Sequence, residues 1–137
     1  MPKPQVLLGH ARVVLPKAIR QPRFTLYIHE VRDGGVLFGR LKWEDRVERG
    51  ERFGWVSIVE VHPERRREGT ATSLVQDALR SMRRVGLRRV DVIPHPTVGV
   101  LPSKPVTLPE LHKFWRRMGF EPEPGTAFTW TKKLDRP

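Results

Sequence analysis

A chain of 137 residues can bury a hydrophobic core without metal or disulfide and has room for about one domain of ordinary size. It contains no cysteine, which excludes disulfides, thiolate zinc sites and any acyl-cysteine intermediate, and no apolar run long enough to span a bilayer or serve as a signal peptide, so a soluble cytoplasmic protein is expected. The net charge of +11 and pI near 11.2 predict attraction to polyanions, whether nucleic acid, acidic protein surfaces or a phosphorylated cofactor.

Residues 1–23 carry four prolines around two apolar runs, Val6 to Leu8 and Val13 to Leu15, and read as one short strand and a turn. From Phe24 to Val31, the apolar Phe24, Leu26 and Ile28 alternate with Thr25, Tyr27 and His29, the period of a half-buried strand. Asp33, Gly34 and Gly35 form a hairpin turn, Val36 to Trp43 returns as the partner strand, and the polar stretch Asp45 to Arg52 reads as a connection. Gly54 to Val61 then completes a three-stranded antiparallel meander. Pro63 has no N–H and biases His62 away from helix, so the strand stops there. After Ala71 the apolar residues Leu74, Val75, Ala78, Leu79, Met82 and Val85 fall three and four apart, a helical stripe over Thr70 to Val85 that Gly86 terminates.

Arg88 to Ile93 is the next strand, and the intervening helix makes it a parallel neighbour of Val56 to Val61. Pro94, Pro96, Gly99, Pro102 and Pro105 mark a long irregular connection, the kind that is more often functional than idle. Thr107 and Glu110 have capping-box spacing ahead of a helix bearing Leu111, Phe114, Trp115 and Met118, with Gly119 at its end. Phe120 and Thr126 to Lys132 read as two closing strands joined by the Pro122 to Gly125 turn. No internal repeat or second domain interrupts residues 1–137.

The chain turns on the stretch where a strand, Val59, Glu60, Val61, runs through a basic turn into the helix at Gly69. A helix start leaves backbone N–H groups unpaired and carries positive potential, so that turn can hold a phosphate. Arg66, Arg67, Glu68, Gly69, Thr70, Ala71 resembles the acyl-CoA pyrophosphate turn of the GNAT superfamily of N-acetyltransferases: Gln or Arg, two residues, Gly, one residue, Gly or Ala. Val61, His62, Pro63 resembles the strand end that precedes that turn. Phe114, Trp115, Arg116, Arg117, Met118, Gly119, Phe120 is similar to the family's late helix and Gly-Phe signature. The resemblance covers residues 54 to about 133.

It implies an α/β fold with a mixed sheet, an antiparallel meander followed by a helix and a parallel strand that splay to admit acetyl-CoA. The cofactor would lie along Val59 and Val61 and on Arg66, Arg67, Glu68, Gly69, Thr70, Ala71 and Thr72. The N-terminal region looks too short for the helices that normally wall the acceptor site, which implies an open or partner-completed cleft. The implied chemistry is direct acyl transfer to an amine, whose proton a base must remove. Asp91 and Glu60 are the candidate catalytic residues, with His62 and His95 able to act through water and backbone N–H near Val61 able to hold the oxyanion. Trp115 stands where the family places a Tyr that protonates the leaving thiolate, and an indole N–H is no acid; Ser103, Thr107 or His112 could deliver a water instead. Two other readings stay open. One is a catalytically silent acyl-CoA-binding module. The other is a nucleic-acid-associated protein, for which Arg80, Arg83, Arg84, Arg88 and Arg89 supply a basic patch. The acceptor that the resemblance implies is an amine-bearing small molecule, a peptide or an RNA-linked group. No metal is assigned, because the histidines lack ligand spacing.

Overall fold

The computed structural model describes residues 12–21, 23–65, 69–95 and 106–135, the side chains of 12–16 excepted. Among them the chain forms β1 (Arg12–Arg20), β2 (Phe24–Asp33), β3 (Val36–Glu48), β4 (Glu51–Val61), a 3-10 turn at Pro63–Arg65, α1 (Thr70–Arg84), β5 (Arg89–Val92), α2 (Leu108–Arg117), β6 (Glu121–Pro122) and β7 (Trp130–Lys133). These strands make one mixed sheet in the order β1-β2-β3-β4-β5-β7-β6. Only β4 and β5 pair in parallel, as a crossover helix requires.

The meander has four strands rather than three, because β1 pairs along β2. The run Val13 to Leu15 belongs to a nine-residue strand, while Val6 to Leu8 lies outside the described residues. In β1 the residues Leu15 and Pro16 oppose the single His29, a bulge that suits a proline with no N–H to give the ladder. The hairpin after Asp33 is as expected, with Gly34 at φ 59° and Gly35 at φ 83°, the two left-handed positions of a type I′ turn. Asp45 to Arg52 is not a loop. The strands run on to Glu48 and resume at Glu51, leaving only Arg49 and Gly50 to turn. Cross-strand and same-strand ion pairs replace the missing apolar signal there: Arg46 reaches Glu44 at 2.6 Å and Arg52 reaches Asp45 at 2.7 Å.

The buried face of β2 is the more polar one. His29 and Val31 are fully buried, whereas Phe24, Leu26 and Ile28 are half-buried on the other side. Hydrogen bonding explains the inversion. Trp43 Nε1 can only donate, and it donates to His29 Nε2 at 2.8 Å, so the ring proton sits on Nδ1, which donates to Asp77 Oδ2 of α1 at 2.9 Å. Tyr27 stacks flat on Trp43 with centroids 4.1 Å apart. A polar side chain fully satisfied in this way costs little to bury.

Helix α1 lies over this face, with Leu74, Val75, Ala78, Leu79 and Met82 buried against Val31, Leu41, Trp43, Val56, Val61 and Val90. Two strand glycines let it come close. A Cβ on Gly39 would sit 3.1 Å from Thr70 Cγ2, and one on Gly54 would sit 3.0 Å from Met82 Sδ. Gly86, at φ 91°, ends the helix as expected. Trp115 of α2 joins the same cluster. The closing strands are shorter than expected, and β7 inserts between β5 and β6.

Burial pushes the His29 imidazole below its ordinary pKa of 6.5, against the opposing pull of the Asp77 hydrogen bond and charge. A second proton would have to sit on Nε2, facing the Trp43 N–H. The unfolded state therefore binds that proton more readily. Stability should be level above pH 6.5 and fall as pH drops from 6.5 toward the folded-state value. Urea unfolding between pH 5 and 7 reads this directly, and His29→Gln should flatten that dependence while costing ~1–3 kcal/mol through unmatched hydrogen bonds.

Candidate active site

Beyond Val56 the parallel pair comes apart. The ladder joins Gly54 to Val90, Trp55 to Asp91 and Val56 to Val92, and stops there, although β4 continues to Val61. A cleft of about 460 Å³ opens between the strands, bounded by Val56 to Val61, the first turn of α1, Val92 to His95, and Leu111, Phe114 and Trp115 of α2. At its start β4 carries a bulge. Trp43 pairs with Val56 and Lys42 with Ile58, so Ser57 is an extra residue whose hydroxyl donates to the Lys42 carbonyl at 3.3 Å. That one residue changes which side chains face the core. Val59 and Val61 turn inward beside Val56, and Glu60 turns to the opposite face, where it meets Arg40 Nε at 3.2 Å.

The two helix starts that border the cleft differ. At α2, Thr107 and Glu110 form the expected capping box: the Thr107 hydroxyl accepts from the Glu110 N–H and the Glu110 carboxylate accepts from the Thr107 N–H. At α1 the N-cap is Gly69, left-handed at φ 80°, with no side-chain cap and no acidic residue in the first turn. A helix start so arranged leaves its dipole and leading N–H groups to whatever occupies the cleft. The 3-10 turn at Pro63–Arg65 is anchored to the sheet and to α1. Arg65 donates to Asp33 Oδ2 at 2.6 Å, lies 4.2 Å from the centre of the Phe38 ring, and its carbonyl accepts from the Thr70 hydroxyl at 3.3 Å. Its guanidinium is thus committed to the β2–β3 hairpin.

Of the residues singled out from sequence, Val59, Glu60, Val61, Gly69, Thr70, Ala71 and Thr72 all line the cleft. Arg66, Arg67 and Glu68 lie outside the described residues, as does Ser103. Asp91 is not among the lining residues. It is buried, accepts from the Thr131 hydroxyl at 2.7 Å and from Arg89 Nη2 at 3.1 Å, and sits at an alternate position to the core residues Val90 and Val92. Thr107 is engaged in its cap, and His112 stacks on Trp130 at 4.9 Å. His95 lines the cleft, and the His62 Nδ1 accepts from the Glu64 N–H at 3.1 Å. Arg65 and the Ser57 bulge went unrecognised in the sequence, since one reads as another turn arginine and the other as an ordinary strand residue.

The sequence model of the acetyltransferase (GNAT) family matches residues 6–120. The chain belongs to the GNAT acetyltransferase family. Solved structures with this fold include the PaiA N-acetyltransferase of Thermoplasma acidophilum in complex with coenzyme A, at TM-score 0.59 and 16% identity over 80% of this chain and 61% of that one. The GNAT family N-acetyltransferase YhbS of Escherichia coli, in complex with CoA, has TM-score 0.59 and 20% identity over 80% and 59% of the two chains. A GNAT family acetyltransferase of Brucella melitensis, in complex with acetyl-CoA, has TM-score 0.55 and 18% identity over 80% and 58%. This chain therefore spans about three fifths of the length of those relatives. No protein of curated function matches it in sequence.

In this GNAT chain Trp115 belongs to the hydrophobic core. Trp115 is 3% exposed and packs edge-to-face on Phe114 and Phe120, with centroids 5.1 and 5.0 Å away. Trp115→Tyr removes a ring from a filled site and should lower the unfolding free energy by roughly 1–2 kcal/mol, read from urea denaturation.

Proposed function

We propose that the cleft binds acetyl-CoA and that the protein, as one acyltransferase domain over residues 1–137, transfers the acetyl group directly to an amine in a ternary complex. The observation that carries this reading is the divergence of β4 from β5 beside the uncapped start of α1. The pantetheine arm would add to the β4 edge as an extra strand between Val56 and Val61, and the pyrophosphate would rest on the N–H groups that follow Gly69. The CoA and acetyl-CoA held by relatives of the same fold support this choice of donor.

An alkyl ammonium with pKa near ~10.4 must lose a proton before it attacks. The cleft wall carries two acids: Glu110 is engaged in the capping box of α2, and Glu60, held by Arg40 at 3.2 Å, is the base we propose. Asp91 serves the sheet by tying β5 to β7 through Thr131. The leaving thiolate, with a thiol pKa near ~8.5, departs unaided or through water, at a cost of ~10²-fold relative to a positioned acid. Buried Trp115, which supplies no such acid, favours a second reading, a catalytically silent acyl-CoA-binding module.

Acetyl-CoA at ~100 times its dissociation constant should raise the unfolding free energy by about 2.7 kcal/mol in a thermal melt. Gly69→Asp should fold, since a Cβ there meets nothing within 4 Å and Asp tolerates the left-handed region, yet it should lose that shift by crowding and repelling the phosphates. An unshifted melt of wild-type protein at millimolar acetyl-CoA rules out the cofactor site.

Release of free CoA thiol with polyamines, basic peptides or RNA-linked amines separates the two readings. Glu60→Gln should cut turnover ~10²-fold or more with acetyl-CoA binding retained, whereas Asp91→Asn should leave turnover near wild type and cost ~1–2 kcal/mol of stability. Acetyl-CoA binding without thiol release from any acceptor establishes the silent module.

A further inference from the structure

The net charge of +11 is unevenly arranged. On the sheet face turned away from α1, arginines are matched with carboxylates: Arg32 with Glu30 at 3.0 Å, Arg40 with Glu60 at 3.2 Å, Arg46 with Glu44 at 2.6 Å, and Arg89 with both Glu51 and Asp91. Arg89, expected in a basic patch with Arg80, Arg83, Arg84 and Arg88, is thus neutralised at the sheet. The helix layer shows the reverse. Arg80 and Arg83 of α1, Arg117 of α2 and Lys132 of β7 line a groove of about 600 Å³ that has no acidic residue in its wall. Among the described residues, Arg83, Arg117 and Lys132 have no carboxylate within salt-bridge reach, and Arg80 has only Asp77 at 3.4 Å, whose other oxygen holds His29. Four cations facing one channel repel one another, a cost that a bound polyanion removes.

We propose that this groove binds the phosphodiester backbone of a single-stranded nucleic acid. Arg forks match phosphate oxygens in pairs, and the rest of the wall includes Gln76 and Thr72, further polar groups able to bond to phosphate or sugar. Leu79 and Met118 are the only apolar contributors, too few for the apolar centre of a protein interface. The groove runs from Thr72 to Arg83, ~16 Å along the helix, which is longer than one phosphate of a cofactor needs. Thr72 and Arg117 also border the acyl-transfer cleft, so a strand held here would pass its mouth.

Fluorescence anisotropy with a short labelled oligouridylate tests this, and the binding does not depend on acyl transfer. With four phosphate contacts, log K should fall against log salt with a slope of about −3. In the double variant Arg80→Gln, Arg83→Gln the slope should fall to about half and the affinity at 0.1 M salt should drop ~25-fold. Gln keeps the exposed helix positions favourable, and an unchanged acetyl-CoA melting shift confirms that the variant is folded. Wild-type slope and affinity in the double variant overturn the assignment, because binding then resides elsewhere. Competition by CoA at its own dissociation constant also overturns it, making the groove part of the cofactor site. Tighter binding of an oligoglutamate peptide than of oligouridylate rejects nucleic acid in favour of an acidic protein.

Discussion

A three-membered hydrogen-bond chain, Trp43 to His29 to Asp77, is the constraint on which the structure depends. It crosses from β3 through β2 into α1: Trp43 and His29 are fully buried, and Asp77 closes the chain at the edge of the core, its second oxygen facing Arg80. Apolar contacts alone let a helix roll or slide by part of a turn at small cost. A directional bond at Asp77 removes that freedom, and Gly39 and Gly54 draw the helix down onto the strands. The start of α1 is thereby set beside the cleft, and Arg65, at the end of the 3-10 turn, is tied to Asp33. Core packing and site geometry are the same problem here.

Carboxylates on neighbouring strands meet different surroundings. Glu60 and Asp91 are each flanked by valines in the sequence, and neither burial nor residue type separates them, since both are nearly inaccessible. The Ser57 bulge and the end of the parallel ladder do. They leave Glu60 on the wall of an open cleft while Asp91 is clasped between Arg89 and Thr131. The bulge stores this distinction in backbone register rather than in side-chain chemistry.

What could be read from the sequence was whatever had a strong local period or a turn requirement. The α1 stripe, the Gly34-Gly35 turn, the Thr107 capping box and the parallel placement of β5 all follow from three- and four-residue spacing, positive φ or crossover length. The inward face of β2 was not legible, because His29 and Tyr27 look like solvent-facing residues until Asp77 and Trp43, 48 and 14 residues from His29, are known to complete them. Asp45 to Arg52 looked like a loop because charge pairs hold that ribbon together. In the site, the cleft walls from Val59 to Val61 and from Gly69 to Thr72 were legible through the family pattern. The pinning of Arg65 depends on a contact 32 residues away and carries no local signal.

The short parallel ladder has a mechanical consequence. Only three residue pairs join β4 to β5, so the sheet is divided into two leaves of unequal size, one built on β1 to β4 and the other on β5, β7 and β6. The larger leaf carries the hydrogen-bond chain to α1, while the smaller has strands of four, four and two residues. A ligand bonded to both edges of the gap acts as a missing strand and laces the leaves together. Without such a ligand the smaller leaf is joined to the larger one by three backbone pairs and by Val90, Val92 and Trp130 in the shared core, so whatever binds across the gap adds its binding free energy to that closure.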